Sequence, residues 1–195
     1  MDNETLGLII LLLSIPGSLW RLWGLHTGRF KPHFFSWFIW ALITFISFGA
    51  QWHEGAGPGS WYNLSAAVLC LYIAVFSLRY RQTMIKRIDW VCFILSLLAI
   101  VGWVLTHNPL VAVMIVCVAD VLAFLPTFRH NWRNPWDDQL FGYTTGAINY
   151  GLSLLAMDVV NATTTLHPIV IIITNMSFVA MALWRRRLMP RQTTA

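Results

Sequence analysis

One carboxylate stands where hydrocarbon is expected. In "VCVADVLAFLPTFRHNWRNP", Val116 to Pro135, Asp120 lies ten residues into an apolar run and six before Pro126, with basic residues just beyond. An aspartate at mid-membrane costs about 2.5 to 3.5 kcal/mol on insertion scales. The 11 Leu, Ile, Val and Phe residues between Leu110 and Phe128, at roughly 0.3 to 0.6 kcal/mol each, more than offset that cost. The segment therefore inserts, but insertion does not explain the acid. No Lys, Arg or His lies near mid-span in any other segment to neutralise it. Such a group either carries a proton and hydrogen-bonds a neighbouring helix, or takes up a proton, a cation or a hydroxyl-bearing solute inside the protein. Helical spacing puts Cys117, Phe124 and Thr127 on its face.

Three further residues could act with it. Asn149 and Asn175 are amides inside apolar runs, able to hydrogen-bond a solute, and Trp40 lies about seven residues inside its run, roughly 10 Å deep, where its ring could stack on one. Asn149 belongs to a stripe of small and polar residues, Gly142, Gly146, Asn149, Ser153 and Ala156, that repeats at helical steps. A matching stripe runs through Asn63, Ala67, Cys70, Ala74 and Ser77. Either stripe serves close helix packing, with its polar members bridging helices, or faces a pocket; the two uses are compatible. Asn63, near the outer end of its run, is placed to line an entrance.

Other chemistry finds little support. His53 with Glu54, His107 and His167 all fall toward the outer face and read as separate solvated loop histidines, so no metal site is expected. Cys70, Cys92 and Cys117 sit in apolar runs without the paired loop spacing of a disulfide framework or zinc site. Asp137 and Asp138, with Arg129 and Arg133, form a solvated ion cluster. Asn63 and Asn161 begin glycosylation-type triplets, a pattern common by chance. No glycine-rich phosphate loop, HExxH or GxSxG is present, so neither catalytic residues nor a cofactor are expected.

The elements that must position these residues are membrane spans. Of the 195 residues, 57% are hydrophobic and only 11% charged, against roughly 25% charged in a soluble domain. Seven runs are long enough to cross: Leu6 to Trp23, Phe34 to Gln51, Trp61 to Tyr80, Ile88 to Thr106, Leu110 to Phe128, Leu140 to Val160 and Pro168 to Trp184. The first lacks the positive start and cleavage site of a signal peptide and stays as a helix. Arg21, Arg29 and Lys31 follow the first run, Arg79, Arg81, Lys86 and Arg87 the third, Arg129 and Arg133 the fifth, and Arg185, Arg186, Arg187 and Arg191 the seventh. Those are all 13 basic residues. One-sided charge of this kind places the N-terminus outside and the C-terminus in the cytoplasm of a plasma or inner membrane. Spread over four short loops, it is no nucleic-acid surface. Most tryptophans agree with the map, since Trp20, Trp23, Trp52, Trp61, Trp90, Trp103 and Trp184 fall near span ends.

The runs also repeat. "SIPGSLWRLW" ends the first and "AFLPTFRHNW" the fifth; each is followed by another proline, Pro32 or Pro135, and then, eight residues later in the next run, by an aromatic, Trp40 or Tyr143. The third and seventh runs both exit into arginines. The expected fold is therefore an all-α membrane protein of seven helices, two parallel three-helix repeats (1–80 and 109–195) joined by a linker helix (81–108). This pattern resembles the PQ-loop and SWEET-like transporters over the whole chain, with Pro16-Gly17 and Pro126-Thr127 where that family has its PQ dipeptide. The resemblance implies that Pro16 and Pro126 act as hinges for alternating access and that Asn and Trp side chains line a central pocket. Transport or facilitated passage of a small polar solute is the expected function, with Asp120, Asn149, Asn175 and Trp40 as the lining. A neutral or weakly cationic solute is expected, because no positive side chain is placed in the interior. Partners would be the bilayer, the solute and, as an option, a second copy of the chain. The alternative is a non-transporting accessory or assembly protein. A retinal-binding opsin would need a lysine in its last span, and both lysines are in loops; an enzyme would need a clustered catalytic set.

Overall fold

The computed structural model describes residues 2–29, 32, 34–80, 87–133, 135–136 and 140–189. Lys31, Arg81, Lys86, Asp137, Asp138 and Arg191 lie outside them. Seven α-helices follow one another: α1 Asn3–His26, α2 Phe34–His53, α3 Trp61–Ser77, α4 Arg87–Thr106, α5 Pro109–Arg133, α6 Leu140–Leu155 and α7 Ala162–Leu188, with a short 3-10 turn at Gly57–Ser60 before α3. Among the described residues there is no strand. Among the described residues, four segments are long and apolar enough to cross a membrane: α1, the 3-10 turn with α3, α5 and α7.

Each expected run falls on one helix, but several ends differ. The side chain of Asp2 caps α1, accepting from the Thr5 amide at 3.3 Å and the Thr5 hydroxyl at 2.6 Å. That hydroxyl, with the helix-start amide, holds the exposed Asp2 carboxyl below its usual value. α1 then runs past Arg21 to His26. α6 stops at Leu155, so Asp158 is in a connection instead of a span. α7 starts six residues before Pro168, because Asn161 and Thr164 form a reciprocal capping box. Arg185, Arg186 and Arg187 close its last turn, where positive charge suits the helix dipole. Pro16, Pro126 and Pro168 all lie within helices, so Pro16 and Pro126 are interior positions and not helix ends.

The helices pack as two triplets around which α4 is laid. α3 packs on both α1 and α2; α7 packs on both α5 and α6. Across the triplets α2 lies on α5 and α1 on α6, with lighter contacts of α3 on α6 and of α2 on α7. α4 docks on α2 and α5 through Cys92 and Ala99, against Ile39, Ile43 and Ile46 of α2 and Ala112, Val116 and Ala119 of α5. Fully covered alanines on α4 and α5 let the backbones approach closely, which is how helices gain contact energy where lipid offers no hydrophobic drive. Large apolar side chains cover the outside instead, among them Leu12, Leu19, Leu105, Val118, Ile148, Ile173 and Leu183. So broad an apolar exterior suits hydrocarbon.

One end of the bundle is acidic and the other basic. At the acidic end Asn3 donates to Asp158 Oδ1 at 2.8 Å, the Asp158 amide donates to the Ala56 carbonyl at 3.1 Å, and Asn161 donates to Glu54 at 3.1 Å. These bonds join the triplets. Gly57, at φ +59°, fits because a Cβ there would meet Asp158 Oδ2 at 1.9 Å, and Gly59 because a Cβ would meet Met157 at 2.3 Å. At the basic end Tyr80 donates to the Leu25 carbonyl, Arg185 to the Trp132 carbonyl at 2.9 Å, Arg186 to the Pro135 carbonyl at 2.8 Å and Trp136 to the Met189 carbonyl at 2.8 Å. Those bonds run within a triplet.

Candidate functional site

Polar side chains enter the bundle in two places. Toward the acidic end, four helices are joined by a buried chain of hydrogen bonds. Proline at 168 has no amide hydrogen, which leaves the Thr164 carbonyl without its helical donor. Gln51 of α2 supplies one, its amide donating to Thr164 O at 2.8 Å. Gln51 Oε1 in turn accepts from Asn63 Nδ2 at 3.1 Å, Asn63 Nδ2 also reaches Ser47 Oγ at 3.1 Å, and Tyr150 OH donates to Asn63 Oδ1 at 3.1 Å. In a medium without water such satisfied networks fix helix position, since any unpaired member is costly. Asn63 is thus a fully engaged core residue and not the lining of an entrance. Its burial also removes it as a glycosylation acceptor.

His167 departs furthest from expectation. It is fully buried on α7 and not in a solvated loop, because the helix begins earlier than Pro168 suggests. Its ring stands edge-on to Tyr150 at 6.4 Å, and neither ring nitrogen has a hydrogen-bond partner. His53 keeps the expected exposed position, 3.4 Å from Glu54. Among the described residues no group of His, Cys, Asp and Glu could hold a metal.

The second place is a cavity of about 70 Å³ between α1, α3 and α6. Ser14, Gly17, Ser18 and Arg21 of α1, Tyr62, Ser65 and Cys70 of α3, and Thr145, Gly146 and Asn149 of α6 form its polar and small-residue wall. Both stripes contribute: Cys70 from one, Gly146 and Asn149 from the other. The remainder of the α3 stripe, Asn63, Ala67, Ala74 and Ser77, is buried against neighbouring helices, so packing and pocket uses occur together. Half-buried Arg21 brings a positive group to the cavity wall, where none was expected. Its guanidinium lies against α6 at Gly142, where a Cβ would come within 2.8 Å of Nη2.

Of the four expected lining residues, Asn149 lines this cavity. Asn175 stands behind its wall, 3.3 Å from where a Gly146 Cβ would be. Asp120 and Trp40 are not among its walls. Asp120 is buried on the α5 face that carries Val113, Cys117 and Phe124. Ala50 of α2 and Leu166 and Val170 of α7 pack beside the first two of these. Phe124, one turn beyond, meets Trp40 of α2 at 6.5 Å, Tyr143 of α6 at 5.7 Å and Phe178 of α7 at 5.7 Å. The acid therefore faces the bundle interior next to an aromatic cluster. No ion pair with it occurs among the described residues. Trp40 and Tyr143 both pack against the Phe124 ring.

Gln51, Tyr150, Tyr62 and Arg21 are among the polar residues that the sequence does not single out. Tyr150 is readable from its stripe, because it precedes Ser153 by one turn. Gln51 ends its apolar run and Arg21 lies two residues from the end of its own, where nothing marks a side chain that turns inward. Compared with protein families, curated proteins and solved structures, the chain matches none of them.

Proposed function

We propose that the protein is a membrane transporter or facilitator of a small polar solute, with seven spans, an outside N-terminus and a cytoplasmic C-terminus, working by alternating access between two parallel three-helix repeats. One observation carries the reading. The cavity is bounded by α1 and α3 from one triplet and by α6 from the other, so a change in how the triplets meet would reshape it.

Two features support it. Exchanging α1, α2 and α3 for α5, α6 and α7 turns each contact between triplets into another that also occurs: α2 on α5 becomes α6 on α1, and α3 on α6 becomes α7 on α2. That is the signature expected of a two-fold arrangement, with α4 as the linker outside it. The hydrogen bonds from Asn3, Asp158 and Asn161 join the triplets at the acidic end. A form closed on that side has such ties. Asp120, in the interior but off the cavity wall, is assigned to proton or cation coupling.

Uptake into vesicles reconstituted with the purified chain tests the proposal. Saturable flux of small polar solutes above protein-free vesicles is expected. Folded protein with no flux for any of them would favour an accessory or assembly role, in which the stripes serve packing alone.

A further inference from the structure

Arg21 narrows the class of solute. Its guanidinium has no carboxylate partner among the described residues and is held between α6 at Gly142 and the face of Trp37, 6.0 Å away. Three hydroxyls in the cavity wall have already committed their protons to helix carbonyls: Ser14 to Leu11 at 2.7 Å, Ser65 to Tyr62 at 2.8 Å and Thr145 to Phe141 at 2.9 Å. Each of those oxygens can therefore only accept. The wall offers one cation with several donors, these three accepting oxygens, and the further polar groups of Ser18, Tyr62 and Asn149. A neutral polyol would satisfy the acceptors and leave the cation uncompensated; a plain fatty acid would do the reverse.

We propose that the cavity binds a small hydroxylated carboxylate, with its carboxylate on Arg21 and its hydroxyl protons on Ser14, Ser65 and Thr145. A planar guanidinium takes a carboxylate through two parallel hydrogen bonds, which fixes orientation as well as charge. Tyr62 and Asn149 are placed to donate to the solute's remaining oxygens. A cavity of about 70 Å³ suits a short-chain acid. This inference rests on the transport reading of the same site, but its binding step is measurable without transport.

The test is thermal stabilisation of the full-length chain in detergent by glycerate, glycerol and propionate. Glycerate should stabilise saturably, with an affinity about tenfold or more above glycerol, which lacks the carboxylate, and propionate, which lacks the hydroxyls. Arg21→Gln should weaken glycerate about tenfold and leave glycerol unchanged. Arg21→Lys should keep part of the affinity, and Gly142→Ala, which displaces the guanidinium, should weaken glycerate selectively. These two variants carry the test if Arg21→Gln does not fold. Equal stabilisation by glycerate and glycerol, or glycerate affinity indifferent to all three substitutions, would overturn the proposal. Glycerate binding without vesicle flux would uphold it while defeating the transport reading. Glycerol flux without glycerate binding would do the opposite.

Discussion

Gln51 donates its side-chain amide to the carbonyl of Thr164, the acceptor that Pro168 deprives of a helical partner. A sequence-distant glutamine thus completes the backbone of α7. Gln51→Leu should leave that carbonyl unpaired and Asn63 short of one of its acceptors in a dry interior, and destabilise the protein by about 1 to 3 kcal/mol. Pro168→Ala restores the amide hydrogen, so the double variant should recover part of the loss. A thermal or chemical unfolding cycle on the four proteins checks this; strict additivity would show that Gln51 acts in some other way.

His167 gives a prediction of opposite sign. Both of its nitrogens are buried without partners, and desolvating them costs free energy that an apolar ring would not incur. His167→Phe should therefore raise the melting temperature, by an amount corresponding to about 1 kcal/mol or more. A lowered melting temperature would mean that the imidazole makes an interaction beyond those described.

Under the transport reading, Gly57 belongs to the seal at the acidic end. Adding a methyl group at φ +59°, against Asp158, should loosen the contact between triplets there. Ser60 is fully buried in the wild-type protein. In a Ser60→Cys background, Gly57→Ala should speed labelling by a soluble maleimide severalfold, and an unchanged rate would place the seal elsewhere.

Asp120→Asn keeps size and hydrogen bonding but cannot ionise. Under the coupling role it should fold and still admit solute, while accumulation driven by a pH gradient is lost. Vesicle uptake with and without the gradient measures this. Retained gradient-driven uptake would reduce the acid to a tolerated buried group.

Orientation has its own check. Reporter fusions ending after Arg133 should read cytoplasmic and those ending at Gly57 external. The reverse result would invert the assignment of acidic and basic ends.

The helices themselves were legible because apolar length and one-sided charge are local, additive signals, and each expected run became one helix. The buried aspartate and the two stripes were legible for the same reason. What escaped depended on partners far along the chain. Pro168 reads as a helix start by its usual preference, while the Asn161–Thr164 capping box that starts α7 has Thr in place of the more familiar Glu or Gln. Val159 and Val160 made α6 look longer than it is. Arg21 stands two residues from the end of the first run, where a charge reads as a topology signal and nothing local shows that its head lies against α6.

The close fit at the acidic end is made by absent side chains. Gly57 and Gly59 let Asp158 and Met157 come so near that any replacement adds atoms to a space already filled. Substitution there is consequently one-directional: drift can wedge this end apart but has no smaller residue with which to tighten it. Under the proposed transport cycle, random mutation at these two positions would yield variants biased toward opening at the acidic end, and variants locked more firmly shut would have to arise somewhere else.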